Sequence, residues 1–84
     1  MKEIIEAVNT LAHPRITIDP EKRAGKACIR GHRITVEEVL RWLASGASEE
    51  EILGDYPQLE KEDFQAVYSY AAELASSHDK AIVR

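Results

Sequence analysis

The chain has 84 residues, 44% of them hydrophobic, and a formal net charge of −4. A chain of this length builds one domain with a small core, and its negative charge argues against a protein that coats nucleic acid. The charge is unevenly distributed. Five basic residues and no acid lie from Lys22 to Arg33, whereas seven acids and a single lysine lie from Glu49 to Asp63.

The sequence also bears on the location of the protein. A single cysteine, Cys28, cannot form an internal disulfide, as is typical of proteins in the reducing cytoplasm. The N-terminus does not combine a basic region with a continuous apolar run, so we expect no signal peptide. No apolar stretch approaches the roughly 20 residues needed to span a bilayer. We therefore expect a soluble cytoplasmic domain.

The first predicted element is a helix at the N-terminus. Residues Met1–His13 place their apolar side chains on one helical face and their polar side chains elsewhere. This apolar stripe consists of Ile4, Ile5, Val8, Leu11 and Ala12. Pro14 ends the helix because proline disfavours helical geometry at the residue before it. The stripe must either cover the core of the domain or contact a second subunit.

A short β ribbon is predicted next. Arg15–Ile18 alternates polar and apolar residues and is rich in β-branched side chains, which is typical of a strand with Ile16 and Ile18 inward. Cys28–Arg30 is predicted as a second extended segment, and a glycine turn reverses the chain after it. Two strands this short favour a ribbon lying beside helices over a core built on a sheet.

Two capping boxes predict the starts of two helices. Thr35 with Glu38 begins the first, and Ser48 with Glu51 begins the second. Gly46 is placed to take the left-handed conformation that ends the first helix. Two short helices around such a glycine turn are typical of the helix-turn-helix motif.

A third helix is predicted to begin near Lys61 and has the most regular periodicity in the chain. Acidic residues at its N-terminus complement the helix dipole. Its predicted inward-facing residues are Phe64, Val67, Tyr68, Ala71, Leu74 and Ala75. The pattern fades from Ser76, so residues 76–84 are expected to form a loose tail.

Together these elements predict a mainly α fold. Its core is a three-helix helix-turn-helix of the winged-helix or homeodomain-like kind, with a short N-terminal β ribbon and an extra N-terminal helix. The predicted boundaries are 1–14 for the N-terminal helical extension, 15–75 for the helix-turn-helix domain and 76–84 for the tail.

The sequence gives little support for an enzyme. Its three histidines show none of the close spacings of helical metal sites, and one cysteine cannot make a thiolate zinc site. The basic segment does not fit the P-loop pattern, because Gly31 is followed by His32 and Arg33. A nucleophile–base pair of Cys28 and His32 has no orienting acid close by. We therefore expect no catalytic residues, no metal and no cofactor.

The basic segment Lys22–Arg33 is the strongest functional signal in the sequence. A stiff hairpin that carries such charges can bind the phosphate backbone of DNA while a helix enters the major groove. However, the carboxylates at the start of the third helix would repel phosphates. If the protein binds DNA, it is expected to do so as a twofold dimer. The candidate residues are Lys26, Arg30, Arg33 and Arg41, with Gln65 and Ser69 as weaker candidates for base contacts.

An ordered series of glycines, arginines and short motifs extends over roughly Arg15–Ala75. It consists of Arg15-Ile16, Asp19-Pro20, Gly25-Lys26, Ile29, Gly31, Arg33-Ile34, Val36, Gly46, Ser48, Glu51-Ile52-Leu53, Asp55-Tyr56-Pro57, Leu59, Asp63 and Tyr70-Ala71. In these residues the chain resembles the small prokaryotic domain-of-unknown-function family 433. It departs from the family pattern at Ala27, where proline is usual, and at His32, where threonine is common.

The resemblance implies a helix-turn-helix protein, and many family members are similar to VapB-type antitoxins encoded beside a PIN-like ribonuclease toxin. It implies a dimer that binds its DNA operator, represses its own expression and neutralises the toxin. It implies no catalytic residues. A toxin is expected to contact apolar surface in Met1–Leu11 or Ser76–Arg84, because the core occupies the middle of the chain.

An alternative interpretation is a protein–protein interaction module that does not bind DNA. Trp42 lies off the apolar stripe of its helix, between Arg41 and Leu43. It either belongs to the core or anchors an interface, as tryptophan often does.

Overall fold

The structure, a computed structural model, describes the backbone of residues 14–82 and the side chains of residues 14–77. The elements follow the order β1 (Ile16–Ile18), a 3-10 turn (Arg23–Gly25), β2 (Ala27–Ile29), α1 (Val36–Ala44), α2 (Glu49–Asp55) and α3 (Lys61–Ile82). The prediction of a mainly helical domain, with a two-stranded ribbon ahead of three helices, is confirmed. The predicted N-terminal helix lies outside the described residues.

A tight turn follows β2 of the ribbon and leads to Thr35, which forms an isolated antiparallel bridge with Cys28. The two strands pair antiparallel, and Ile16 lies opposite Ile29. Arg30 and Gly31 have φ values of 43° and 78°, and the amide of His32 donates to the carbonyl of Ile29 at 2.7 Å. Positive φ at both central residues is the requirement of a type I′ hairpin turn. Arg30 therefore adopts a backbone conformation that a residue with a Cβ seldom takes.

Both predicted capping boxes are present. The hydroxyl of Thr35 accepts from the amide of Glu38 at 3.0 Å, and the Glu38 carboxylate accepts from the amide of Thr35 at 3.0 Å. Ser48 and Glu51 make the same reciprocal pair at the start of α2. Between the two helices Gly46 has a φ of 107°, as its predicted role in ending α1 requires.

The buried face of α3 differs from the predicted one. Tyr68 and Leu74, both predicted to face inward, are 39% and 45% exposed. The buried face instead includes Asp63, Ala66 and Tyr70, which follow the i, i+3, i+7 spacing of one helical stripe. Phe64 and Val67 are buried as predicted. The prediction missed Asp63 because it counted only apolar residues, and it placed the stripe on the side of Tyr68 instead of the side of Ala66 and Tyr70.

The C-terminal tail was also predicted wrongly, since α3 continues as a helix through Ile82. Helix propagation is cheap once the first turn has formed, and residues 61–82 contain no glycine or proline to stop it. The loss of apolar periodicity after Ser76 therefore does not mark the end of the helix.

The core lies where the ribbon meets the three helices. Its most deeply buried members include Ile29 from β2, Val39 from α1 and Val67 from α3. Trp42 is half-buried and stacks on Tyr56, with ring centroids 4.4 Å apart and planes within 10°. This tryptophan packs against the core, as the first of its two predicted roles requires.

A single buried carboxylate connects the ribbon to α3. The side chain of Asp63 is only 3% exposed and accepts from Nε and Nη2 of Arg30, each at 3.0 Å. It also accepts from Nη1 of Arg15 at 3.0 Å and from the amide of Glu60 at 2.7 Å. Arg30 further donates to the carbonyl of Gln58 at 2.7 Å. Asp63 thereby caps α3 and holds the ribbon against it.

These contacts determine the protonation state of Asp63. Burial alone would raise the pKa of this carboxyl group, but the hydrogen bonds from Arg30, the Glu60 amide and Arg15 lower it below its ordinary value. The folded state therefore favours the ionised carboxylate. The stability that Asp63 supplies is complete above the unfolded pKa of about 3.9 and is lost as the pH falls through the lower folded pKa.

We expect Asp63→Asn to lower the free energy of unfolding by about 3 kcal/mol at pH 7, because it leaves the Arg30 guanidinium half-buried without its counter-charge. Urea unfolding followed by circular dichroism measures this loss. Glu60→Gln is the matched control. It removes a carboxylate that also pairs with Arg15 but is 52% exposed, so its effect should be much smaller. Equal effects of the two substitutions would contradict a central role for Asp63.

We also expect the difference in unfolding free energy between the unaltered protein and Asp63→Asn to shrink as the pH falls below about 4. The reason is that acid protonates Asp63 in the unaltered protein, whereas the amide of the variant does not titrate. Urea unfolding of both proteins at a series of pH values between about 2.5 and 7 tests this expectation. A difference that stays constant over this range would show that the charge of Asp63 is not what stabilises the fold.

Candidate functional site

The structure separates the predicted DNA-contacting residues into different environments. Arg30 turns its guanidinium inward to Asp63 and is therefore not available for a phosphate. Lys26 and Arg41 come together at Glu37, with Lys26 Nζ 3.1 Å and Arg41 Nη2 2.9 Å from its carboxylate oxygens. These three side chains are about half exposed or more, so the two ion pairs are weak in water. The group nevertheless carries one net positive charge, where the sequence suggested two.

Other basic side chains of the segment also form hydrogen bonds within the protein. Arg23 donates twice to the Glu38 carboxylate, at 3.1 and 3.2 Å, and once to the carbonyl of Arg33 at 2.6 Å. The hydrogen bonds from Arg23 lower the pKa of Glu38; burial acts in the opposite direction, and the amide of Thr35 makes a smaller contribution that also lowers it. Lys22 donates to the carbonyl of Gly31. Three of the five basic side chains thus pair with carboxylates of the same chain.

Arg33 is the exception within the basic segment. Its side chain is exposed, and the contacts among residues 14–77 include no ion pair for it. Its backbone carbonyl is held by Arg23, which fixes the position from which the side chain extends. Of the four predicted phosphate-binding residues, Arg33 is the one whose charge the described structure leaves unopposed.

The two weaker candidates lie on α3. Gln65 is exposed and lines a shallow pocket together with Glu49 and Glu62, while Ser69 is half-buried. The hydroxyl of Tyr68 in the same pocket donates to the Glu49 carboxylate at 2.6 Å. A phosphate backbone brought to this face of α3 would meet carboxylates from two helices. The acidic start of α3 therefore has the electrostatic character that the sequence indicated.

An apolar groove lies between the ribbon, α1 and α3, and the sequence analysis did not identify it. Its volume is about 490 Å³, and its wall consists mainly of apolar atoms. The side chains that form this wall are Ile18, Ala27, Val36, Leu40, Tyr70 and Leu74. The Lys26–Glu37–Arg41 group forms its charged rim. Leu74 lies on the same stripe of α3 as Asp63 and Tyr70, but it is 45% exposed and lines this groove.

The chemistry of Cys28 does not support a nucleophile. Its side chain is 1% exposed, and Sγ donates to the carbonyl of Lys26 at 3.4 Å. Burial raises the pKa of this thiol, which keeps it protonated and unreactive. Within the part of the chain that the structure describes, no cluster of His, Cys, Asp and Glu could hold a metal ion. No helix in the same part is long and apolar enough to cross a membrane.

Comparison with known proteins places the chain in a family. The model of a family described as "Protein of unknown function (DUF433)" matches residues 16–71, which contain the ribbon, α1, α2 and the first half of α3. The chain is also similar to a crystal structure of a DUF433 member protein from Anabaena variabilis ATCC 29413. The two are 30% identical with a TM-score of 0.72, over 99% of this chain and 81% of the other. No protein with a curated description matches. The chain belongs to the DUF433 family.

Proposed function

We propose that this domain is a protein-binding module that acts in an antitoxin-like manner. It receives an apolar helix of a partner in the groove between the ribbon, α1 and α3. The observation that carries this proposal is the groove itself, which leaves aliphatic side chains open to solvent at the edge of the core. The partner chemistry we propose is an amphipathic helix of a PIN-like ribonuclease, following the family resemblance in the sequence.

The shape and lining of the groove fit a helix. Its walls come from three elements, with Ile18 on the strand side, Leu40 on α1 and Leu74 on α3. A partner helix with apolar residues at i, i+3, i+4 and i+7 can place one stripe against such walls. Leu74 is 45% exposed on its own helix, so covering it removes apolar surface from water.

The charged rim can orient a partner helix. Lys26 and Arg41 lie on either side of the Glu37 carboxylate and are about 54% and 75% exposed. Their hydrogen bonds lower the pKa of Glu37, that of Arg41 contributing most and that of Lys26 next. A partner carboxylate beside the groove would compete with Glu37 for these two cations at little cost. Such exchange contributes to the choice and orientation of the partner more than to affinity.

This surface revises the expectation that a toxin would contact only the two ends of the chain. That expectation assumed that the middle of the chain is fully used by the core. Leu40 is half-buried and Leu74 is exposed, so apolar surface remains in the middle.

Operator binding by a dimeric autorepressor is the second candidate function. Arg33 supports it, since its exposed guanidinium extends from a hairpin that is fixed by internal hydrogen bonds. The order of α1, the Gly46 turn, α2 and α3 also agrees with a helix-turn-helix. The inward-turned Arg30 and the carboxylates beside Gln65 oppose it. We therefore rank operator binding below protein binding.

We expect the purified protein to bind DNA from upstream of its own coding region no more tightly than non-specific DNA. At 50 mM salt the expected Kd is weaker than about 10⁻⁵ M, because few unpaired cations are available for counterion release. Fluorescence anisotropy over a salt series measures this. Submicromolar binding whose salt slope decreases by about one in Arg33→Ala, but not in the exposed α3 variant Lys61→Ala, would establish operator binding instead.

We expect Leu74→Glu to weaken capture of a PIN-like ribonuclease by at least about tenfold. The substitution places a charge in the apolar wall of the groove, and tenfold corresponds to about 1.4 kcal/mol. Ala72→Glu is the matched control, since Ala72 is exposed on the same helix but does not line the groove. Isothermal titration with both variants, checked for folding by circular dichroism, decides the question. Equal affinities would rule out the groove as the contact surface.

A further inference from the structure

We propose that residues 1–13 of the same chain occupy the apolar groove as an amphipathic helix when no partner is bound. A partner helix must then displace this segment to bind. The inference rests on the proposed function in one respect, since it takes the groove to be a helix-binding surface. It adds an occupant that is always present and a means of regulating the same site.

The first argument is the point at which the segment joins the described structure. Residue 13 is followed by Pro14 and then by Arg15, whose side chain contacts Asp63 at the start of α3. From Arg15, the strand β1 leads to Ile18, which lines the groove. Three residues of strand cover about 10 Å. The segment therefore begins close to the groove, at the end of α3 away from Leu74.

The second argument is length. Tyr70 and Leu74 lie seven and eleven residues beyond Asp63, which corresponds to about 10 and 16 Å along α3. In a helix that runs back from Arg15, Val8 and Ile4 are seven and eleven residues away and fall at the same two distances. A helix of residues 1–13 laid along α3 would thus bring its apolar stripe level with the groove.

The third argument is chemistry. The groove wall is aliphatic apart from the ring of Tyr70, and the stripe of the segment contains Ile4, Ile5, Val8 and Leu11. The polar residues of the segment, such as Glu6, fall on the opposite side of a helix and would remain in water. Contact between the apolar stripe of the segment and the apolar wall of the groove would bury no charged side chain.

The tether favours this segment over a second copy of the chain. Only Pro14 separates the segment from Arg15, and a ligand on so short a connection has an effective concentration in the millimolar range. A second copy would have to reach that concentration in solution to compete. The intramolecular occupant lowers the apparent affinity for any partner. The apparent affinity equals the affinity of the open groove multiplied by the fraction of protein whose groove is open.

A cross-linking experiment in the full chain tests the proposed occupant. We expect Ile4→Cys combined with Leu74→Cys to form a disulfide within one chain under mild oxidation, because the two positions are level in the docked helix. Glu6→Cys with Leu74→Cys is the matched control and should not cross-link. Leu74→Cys alone controls for pairing with Cys28. Non-reducing electrophoresis and mass spectrometry identify the products.

The outcomes discriminate between occupants. A disulfide within one chain, formed at least tenfold faster for Ile4→Cys than for Glu6→Cys, supports the proposal. Covalent dimers as the main product would overturn it in favour of a second copy of the chain. Equal rates for the two positions, or no cross-link at either, would overturn it altogether.

A thiol-labelling measurement provides the second readout. In the full chain, Leu74→Cys should react with a maleimide at least about tenfold more slowly than Ala72→Cys, and adding Ile5→Glu should remove the protection. Labelling that is equally fast with and without Ile5→Glu would overturn the proposal.

The two proposals can fail separately. If Leu74→Glu weakens partner binding but the segment does not protect position 74, the groove binds a partner and has no internal occupant. If the segment protects position 74 but Leu74→Glu leaves partner affinity unchanged, the groove is the docking site of the chain's own N-terminal segment. The function proposed above then fails.

Discussion

The Asp63 carboxylate is the interaction on which the rest of this structure depends. It accepts hydrogen bonds from two arginines of the ribbon region and from the backbone at the start of α3, in a position that is almost fully buried. A charge in such a place is tolerated only when it is paired and fully hydrogen-bonded. The pairing fixes which face of α3 turns toward the ribbon, and Tyr70 and Leu74 on the same stripe line the apolar groove.

The sequence predicted the local elements because the interactions that form them are local. Each capping box joins residues three apart, and the alternation of the β ribbon is a property of neighbouring residues. The family resemblance was carried by the same short motifs, and the family match over residues 16–71 confirms it. The face of α3 was not predictable in this way. It depends on contacts from Asp63 to residues 33 and 48 positions earlier in the chain.

The candidate site was less accessible from the sequence for the same reason. A count of basic residues identifies the hairpin but not the carboxylates that meet it, since Glu37 and Glu38 lie on α1 and Asp63 lies on α3. The groove could not be predicted because its walls come from the ribbon, α1 and α3, which only the tertiary packing brings together. Leu74 has the spacing of a core residue, and only the packed structure shows that it remains at the surface.

The ribbon holds on to two helices at once, because Arg23 and Lys26 contact α1 while Arg15 and Arg30 contact α3. Between these contacts the strands are too short to persist on their own. Detachment of either helix would therefore disturb the ribbon, whose contacts hold the other helix in place. We therefore expect the described part of the domain, residues 14–82, to open as one cooperative unit, without an independently melting half that a protease could attack.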